Sequence, residues 1–150
     1  MKGKKIIIFL VLLIILIGVV AVFTNIKKNR NDNTLEQQQL GEFVSLREDG
    51  TKENISEKLK EIKVLEGLEI TDIVLTEKDN VSQISAKVEN STENSVEGME
   101  VAVVFSDKEG NTITEISAYI TGLEPGENTT LYSSVVADVS NAYDINIVKK

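Results

Sequence analysis

The 150 residues contain no cysteine and no histidine, tryptophan is absent, and proline occurs once, at Pro125. Without cysteine there is no disulfide framework, no thiolate chemistry and no lipid-modified cysteine. Without histidine, the usual zinc sites, Ser-His-Asp triads and Cys-His dyads lose their central residue. Aromatic residues make up 5% of the chain, which leaves few of the flat platforms that hold sugars or single-stranded nucleic acid.

Basic residues are in the minority, and they are unevenly placed. The chain carries 16 Lys and Arg against 24 Asp and Glu, a net charge of −8. Lys2, Lys4, Lys5, Lys27, Lys28 and Arg30 precede the first acidic residue, so from Asn31 onward 10 basic residues face 24 acidic ones, a balance of −14. A surface of that sign repels phosphate backbones, which makes nucleic acid a poor partner, and it favours solubility and cationic partners.

The one long apolar run is Ile6 to Phe23, IIIFLVLLIILIGVVAVF, with no charged side chain. As an α-helix it spans about 27 Å, close to the roughly 30 Å hydrocarbon core of a bilayer. Three lysines precede it and Lys27, Lys28 and Arg30 follow it, so the flanking basic residues balance. Retaining a short basic N-terminus while exporting an acidic domain describes a signal-anchor, with residues 1–26 as the membrane anchor and the C-terminal part outside. The alternative is a secretory signal peptide cleaved after Ala21 in Val19-Val20-Ala21, which would release a secreted ligand-binding protein. The run is longer than the usual apolar region of such a peptide.

Residues 27–40 are polar and read as a tether. Residues 41–67 read as a hairpin plus a short helix. In the hairpin, Phe43 to Leu46 leads into a turn at Asp49-Gly50, where glycine accepts φ > 0. Asn54 or Ser56 then caps a helix of about two turns that places Leu59 and Ile62 on one side. From Leu68 the period is two, and residues 68–150 form the main β domain. Leu68 and Ile70 alternate, the phase slips at Thr71-Asp72, and Ile73 and Leu75 resume, which predicts a bulged strand. A tight turn at Lys78-Asp79-Asn80 precedes a strand over Val81 to Val88 with Ile84, Ala86 and Val88 inward. Glu89 to Gly98 reads as a loop. Met99 to Phe105 places Met99, Val101, Val103 and Phe105 on one face, Asp107 to Asn111 is a turn, and Thr112 to Ile120 returns with Ile116, Ala118 and Ile120 inward. Pro125-Gly126 predicts a type II turn, followed by strands over Thr129 to Ala137 and Tyr143 to Val148. Short strands punctuated by turns, without long helices between them, indicate an antiparallel β-sandwich around a small aliphatic core with Phe105 at its centre.

The order of these signals resembles the FxLYD-type extracytoplasmic domains of bacteria. The resemblance is carried by Ala86 to Thr92, by Val101 to Asp107 with Gly110, and by Gly122 to Glu127. Aligned on Asp107, it places Val103, Phe105 and Ser106 at the Phe, Leu and Tyr positions of the family motif. It implies an immunoglobulin-like β-sandwich held at a membrane by an N-terminal anchor, and it implies no catalytic residue and no particular ligand.

Three further patterns carry chemistry on paper. Asp107, Glu109 and Asn111 offer oxygen ligands two residues apart, as calcium loops do, but Gly110 explains the same stretch as a hairpin turn. Asn54, Asn80, Asn90 and Asn128 each begin an Asn-X-Ser/Thr triplet, in a chain rich in those residues. No spacing singles out a nucleophile-base pair or a pair of hydrolytic carboxylates. The sequence therefore leads us to expect no catalytic, cofactor-binding or metal-binding residues. The expected function is that of a noncatalytic interaction or accessory module at the cell surface, attached to lipid through Ile6 to Phe23 and contacting a protein partner through Ser91 to Gly98 and Gly122 to Asn128. A structural subunit of an envelope or secretion complex fits the same features.

Overall fold

A computed structural model describes residues 40–150; Ile6 to Phe23 and most of the tether lie outside the described residues. The described chain forms nine strands: β1 (Val44–Leu46), β2 (Lys52–Asn54), β3 (Lys63–Leu65), β4 (Leu68–Lys78), β5 (Val81–Asn90), β6 (Met99–Ser106), β7 (Thr112–Ile120), β8 (Asn128–Val135) and β9 (Asp144–Lys149). All pairings are antiparallel. One sheet of six strands has the order β1-β2-β4-β5-β8, with β3 also on β4, and a second sheet of three has the order β7-β6-β9.

Turn chemistry sets the hairpins. Glu66 (φ 51°) with Gly67 (φ 86°), and Asp79 (φ 53°) with Asn80 (φ 61°), are two-residue connections with both central residues left-handed. That geometry matches the twist of the strands it joins. In β4, Thr71 pairs with Lys87 and Val74 with Ser85, so Asp72 and Ile73 together oppose Ala86. This bulge, with Asp72 at φ 51°, shifts the parity by one residue. Leu68 and Ile70 before it and Ile73 and Leu75 after it therefore all face the core. The type II turn is present: Glu127 N–H donates to Glu124 O at 3.0 Å and Gly126 has φ 77°.

The core lies between the two inner faces. Leu68, Ile70, Leu75, Ile84 and Leu131 from the larger sheet meet Val101, Val103, Phe105, Ile120 and Ile145 from the smaller one in a single cluster. Phe105 is the largest fully buried side chain. Ala102, on the outer face of β6, is also buried, at 2% exposure.

The segment after β2 departs from the sequence expectation. In place of two α-helical turns there is one 3-10 turn, Glu57–Lys60, capped by Ser56. Leu59 enters the core while Ile62 is 60% exposed. Lys63 to Leu65 then pairs with Leu68 to Ile70. The backbone bonds of that edge pairing, together with the Glu66-Gly67 turn, outweigh the weak local preference of Glu-Lys-Leu-Lys for a helix too short to stand alone. β5 also runs two residues beyond Val88, and β8 ends at Val135 rather than Ala137.

Polar side chains close the lower end of the sandwich. Asn54 Nδ2 donates to Ser140 O and Ala142 O, both at 2.7 Å, and Ser82 Oγ donates to Ala137 O at 2.7 Å while accepting from Val139 N at 3.0 Å. Lys52 Nζ bridges the buried Glu77 (3.0 Å) and Asp138 (2.5 Å). Partial burial pushes the Asp138 carboxyl up, but hydrogen bonds from Lys52 and Ser140 outweigh it and leave the pKa below the ordinary Asp value.

Two outcomes follow for stability. Phe105→Ala should cost about 3–5 kcal/mol, read as a lower midpoint in urea, whereas Tyr132→Ala on the exposed outer face should stay within about 0.5 kcal/mol. Because the Asp138 pKa is lowered on folding, its contribution is present above the unfolded value near 3.9 and lost as the pH falls through the folded one. Asp138→Asn should therefore be less stable than wild type at pH 7, with the gap closing in urea melts below about pH 4.

Candidate functional site

The inward positions of β5 run Ser82, Ile84, Ala86, Val88 and Asn90, so an amide falls where the pattern calls for an apolar side chain. A buried amide must find partners for each of its polar atoms. Asn90 is fully buried and does so by gathering two loops. Its Nδ2 donates to Asn94 O (2.8 Å) and Leu123 O (3.0 Å), and its Oδ1 accepts from Thr92 N (3.0 Å) and Thr92 Oγ1 (2.7 Å). Its backbone N–H donates to Glu127 O at 2.9 Å and its carbonyl accepts from Gly126 N at 2.8 Å.

The two loops selected from the sequence, Ser91 to Gly98 and Gly122 to Asn128, thus form one structure. Val96 and Leu123 exchange a pair of backbone bonds at 2.9 Å, and Ser95 Oγ donates to Glu124 Oε2 at 2.5 Å. Gly98 and Gly122 allow this approach: a Cβ on Gly98 would lie 2.3 Å from Tyr119 Oη and 3.1 Å from Gly122 N.

Beside this knot lies a cleft of about 590 Å³. Asn94 to Glu100 form one wall, Glu66 and Thr92 the second, and Lys149 and Lys150 the third. Sequence reasoning reached the loop wall and missed Glu66, Lys149 and Lys150, which come from the β3–β4 turn and the end of β9. Glu66, Glu97 and Glu100 form no ion pair among the described residues, whereas Lys150 Nζ donates to Ser117 Oγ at 2.6 Å and lies 3.9 Å from Glu115. The cleft is thus lined by three carboxylates and two ammonium groups, of which Glu66, Glu97, Glu100 and Lys149 form no ion pair among the described residues.

A second cleft, of about 460 Å³, lies between Phe43, Ile55 and Tyr143. Its Phe43 and Tyr143 rings are 5.2 Å apart, with Lys108 Nζ 5.1 Å from the Phe43 centroid. Its charges are paired internally, Lys108 with Glu42, Lys58 with Glu61 and Glu57 with Lys60.

The other patterns resolve into turn and strand chemistry. The Asp107 carboxylate accepts from Asn111 Nδ2 (2.9 Å) and Asn111 N (2.8 Å), bonds that lower its pKa and commit it to its own turn. Among the described residues no group of three or more acidic side chains is placed to hold a metal ion. Asn54 and Asn90 of the Asn-X-Ser/Thr triplets are engaged internally, and Asn80 and Asn128 are exposed. Among the described residues no helix is long and apolar enough to cross a membrane.

Asn90→Ala removes both donors and both acceptors while leaving Leu123 O and Asn94 O behind. It should cost about 2–3 kcal/mol in denaturant unfolding and speed amide exchange at Val96 and Leu123 before it affects β6.

No family model matches the chain, and no curated protein matches it. Among solved structures, a DUF1425 family member from Shewanella sp. pv-4 is a weak structural neighbour, with a TM-score of 0.38 and 8% identity over 71% of this chain and 94% of that one.

Proposed function

We propose that this chain is a noncatalytic interaction or accessory module, held at the outer face of a bacterial membrane by Ile6 to Phe23 and contacting a protein partner through the Asn90-knit loop end. The observation that carries the reading is where the chain enters the sandwich. Phe43 N–H donates to Asn141 Oδ1 at 2.9 Å and Glu42 pairs with Lys108, beside the β6–β7 turn and the β8–β9 connection. The loop knot and its cleft occupy the other end of β6, whose eight residues correspond to roughly 25 Å of strand. The loop knot is thus at the far end of the sandwich from the point where the chain enters it.

The immunoglobulin-like, FxLYD-type reading is supported by the strand order. β5 pairs with β8 and β6 with β9, so the chain crosses between the sheets after β5, β7 and β8, as in a Greek-key sandwich. At the motif positions Val103 and Phe105 are in the core, Ser106 is buried and Asp107 caps the following turn, which are framework roles. The strongly acidic balance fits a partner with a basic contact surface.

The absence of native cysteine makes site-specific attachment straightforward. With a crosslinker on Asn94→Cys in intact membranes, we expect one reproducible protein adduct; on Glu109→Cys, at the entry end, we expect none. No adduct from Asn94→Cys, or equal adducts from both positions, would count against the reading. Sequencing the mature N-terminus in the same preparation should find residues before Ala21.

A further inference from the structure

β9 is paired on one side only. Its register with β6 runs Val101 with Lys149 through Ser106 with Asp144, and Lys150 N–H donates to Glu100 O at 3.1 Å. In an antiparallel ladder the residues that bond to the partner alternate with those whose N–H and C=O point the other way. With Lys150 bonded to β6, Val148 and Asn146 follow it, and Ile147 and Lys149 direct their backbone groups outward. No strand among the described residues is hydrogen-bonded to them there, although β3 packs beside β9.

Other edge strands are covered or short, β1 and β3 having three residues each. β7 and β8 are clasped to each other by Ser133 Oγ donating to Ser117 O at 2.9 Å. β4 is covered by β3 over Leu68 to Ile70 and by β2 at Thr76 and Glu77. β9 has no proline and no bulge, and the charged groups at its open end are Lys149 and, just beyond it, Lys150. Its start is anchored where Lys63 Nζ meets Asp144 Oδ1 at 2.7 Å with both side chains largely buried, and Lys150, just past its end, donates to Ser117 Oγ. From that ion pair β3 and β9 run on in the same direction and lead to the Glu66 and Lys149 walls of the cleft. Val64 (69% exposed) and Val148 (46%) flank this path.

We infer that the outer edge of β9 over Ile147 to Lys149 is a strand-acceptor site, and that its occupant is an extended, net basic segment of a partner protein entering through the cleft. This rests on the interaction-module reading and adds the mode of contact. Backbone bonds to an unpaired edge supply affinity in such additions, and alternate side chains supply specificity. The sign of the occupant follows from the chain's balance of −14 from Asn31 onward, to which the cleft contributes Glu66, Glu97 and Glu100 against Lys149 and Lys150. The same charge disfavours a second copy of this chain, which would bring −14 against −14 from Asn31 onward.

The probes are a synthetic decapeptide alternating Val or Thr with Lys, the same peptide N-methylated at every second residue, and the same peptide with Glu in place of Lys. Binding to the full chain in detergent is measured by calorimetry and by amide exchange. The unmodified basic peptide should bind and slow exchange at Ile147 and Lys149 more than at Val148. N-methylation and the Glu replacement should each weaken binding by at least about tenfold. Lys149→Pro, which removes one outward N–H and leaves the ladder to β6, should abolish that protection at an unchanged melting temperature. Equal binding of the N-methylated peptide, no binding of the basic one, or a dimer in sedimentation that Lys149→Pro dissolves would each overturn the inference. If loop-end crosslinks persist while the peptide arm fails, the module reading stands and only strand addition falls.

Discussion

With no covalent crosslink available, the two sheets are held chiefly by contact between their inner faces, with Ser133 to Ser117 and Lys63 to Asp144 bonds at the margins. That contact is made by aliphatic side chains of similar size, with Phe105 the largest among those fully buried. Almost everything else in the fold serves to keep those side chains in phase. The β4 bulge exists because eleven residues of uninterrupted alternation would turn either Leu68 and Ile70 or Ile73 and Leu75 to solvent. The left-handed pairs at Glu66-Gly67 and Asp79-Asn80 set the registers of the strands they join. A core this poor in aromatic area depends on register more than on bulk, because each misplaced strand would forfeit several small contacts together.

Where the sandwich ends, the apolar faces must give way to loops without stranding backbone groups, and asparagine solves the problem at both ends. Asn54 at the entry end and Asn90 at the cleft end each use one amide to satisfy carbonyls from a distant connection. The two differ in consequence. Asn54 ties a peripheral hairpin to the β8–β9 connection, so the segment before Leu68 is integral to the larger sheet. Asn90 fuses two loops that carry exposed polar side chains, so it makes a rigid wall from what would otherwise be two mobile connections.

Much of this was legible from period and turn chemistry. The inward residues of β5, β6 and β7, the Thr71-Asp72 phase slip, the Asp49-Gly50 hairpin and the Pro125-Gly126 turn all appear where alternation and φ > 0 residues place them. Partner choice was not legible, because a period of two tells which face a residue takes and says nothing about which strand lies beside it. The pairing of β5 with β8 and of β6 with β9 is a tertiary outcome. The stretch from Ser56 to Leu65 was misread because its residues favour a helix locally, while the exposed edge of β4 offers bonds that a two-turn helix cannot match. Asn90 falls within Glu89 to Gly98, whose polar composition reads as a loop and hides an inward position. Counting on from Ile84, Ala86 and Val88 identifies it. Glu66 and Lys149 join the cleft across more than 80 residues of chain, a juxtaposition with no local signature.

Charge and edge protection bear on the same surface. A strongly acidic domain resists self-association over most of its area, which adds to the protection that Lys149 gives an edge without a strand partner. The clasp between β7 and β8 and the cover over β4 show that this fold closes edges where it can. β9 is pinned at Asp144 and left open toward Lys149, next to carboxylates that have no ion-pair partner among the described residues. Closing the edge at one end and leaving it open beside the cleft restricts access to segments arriving from the loop end.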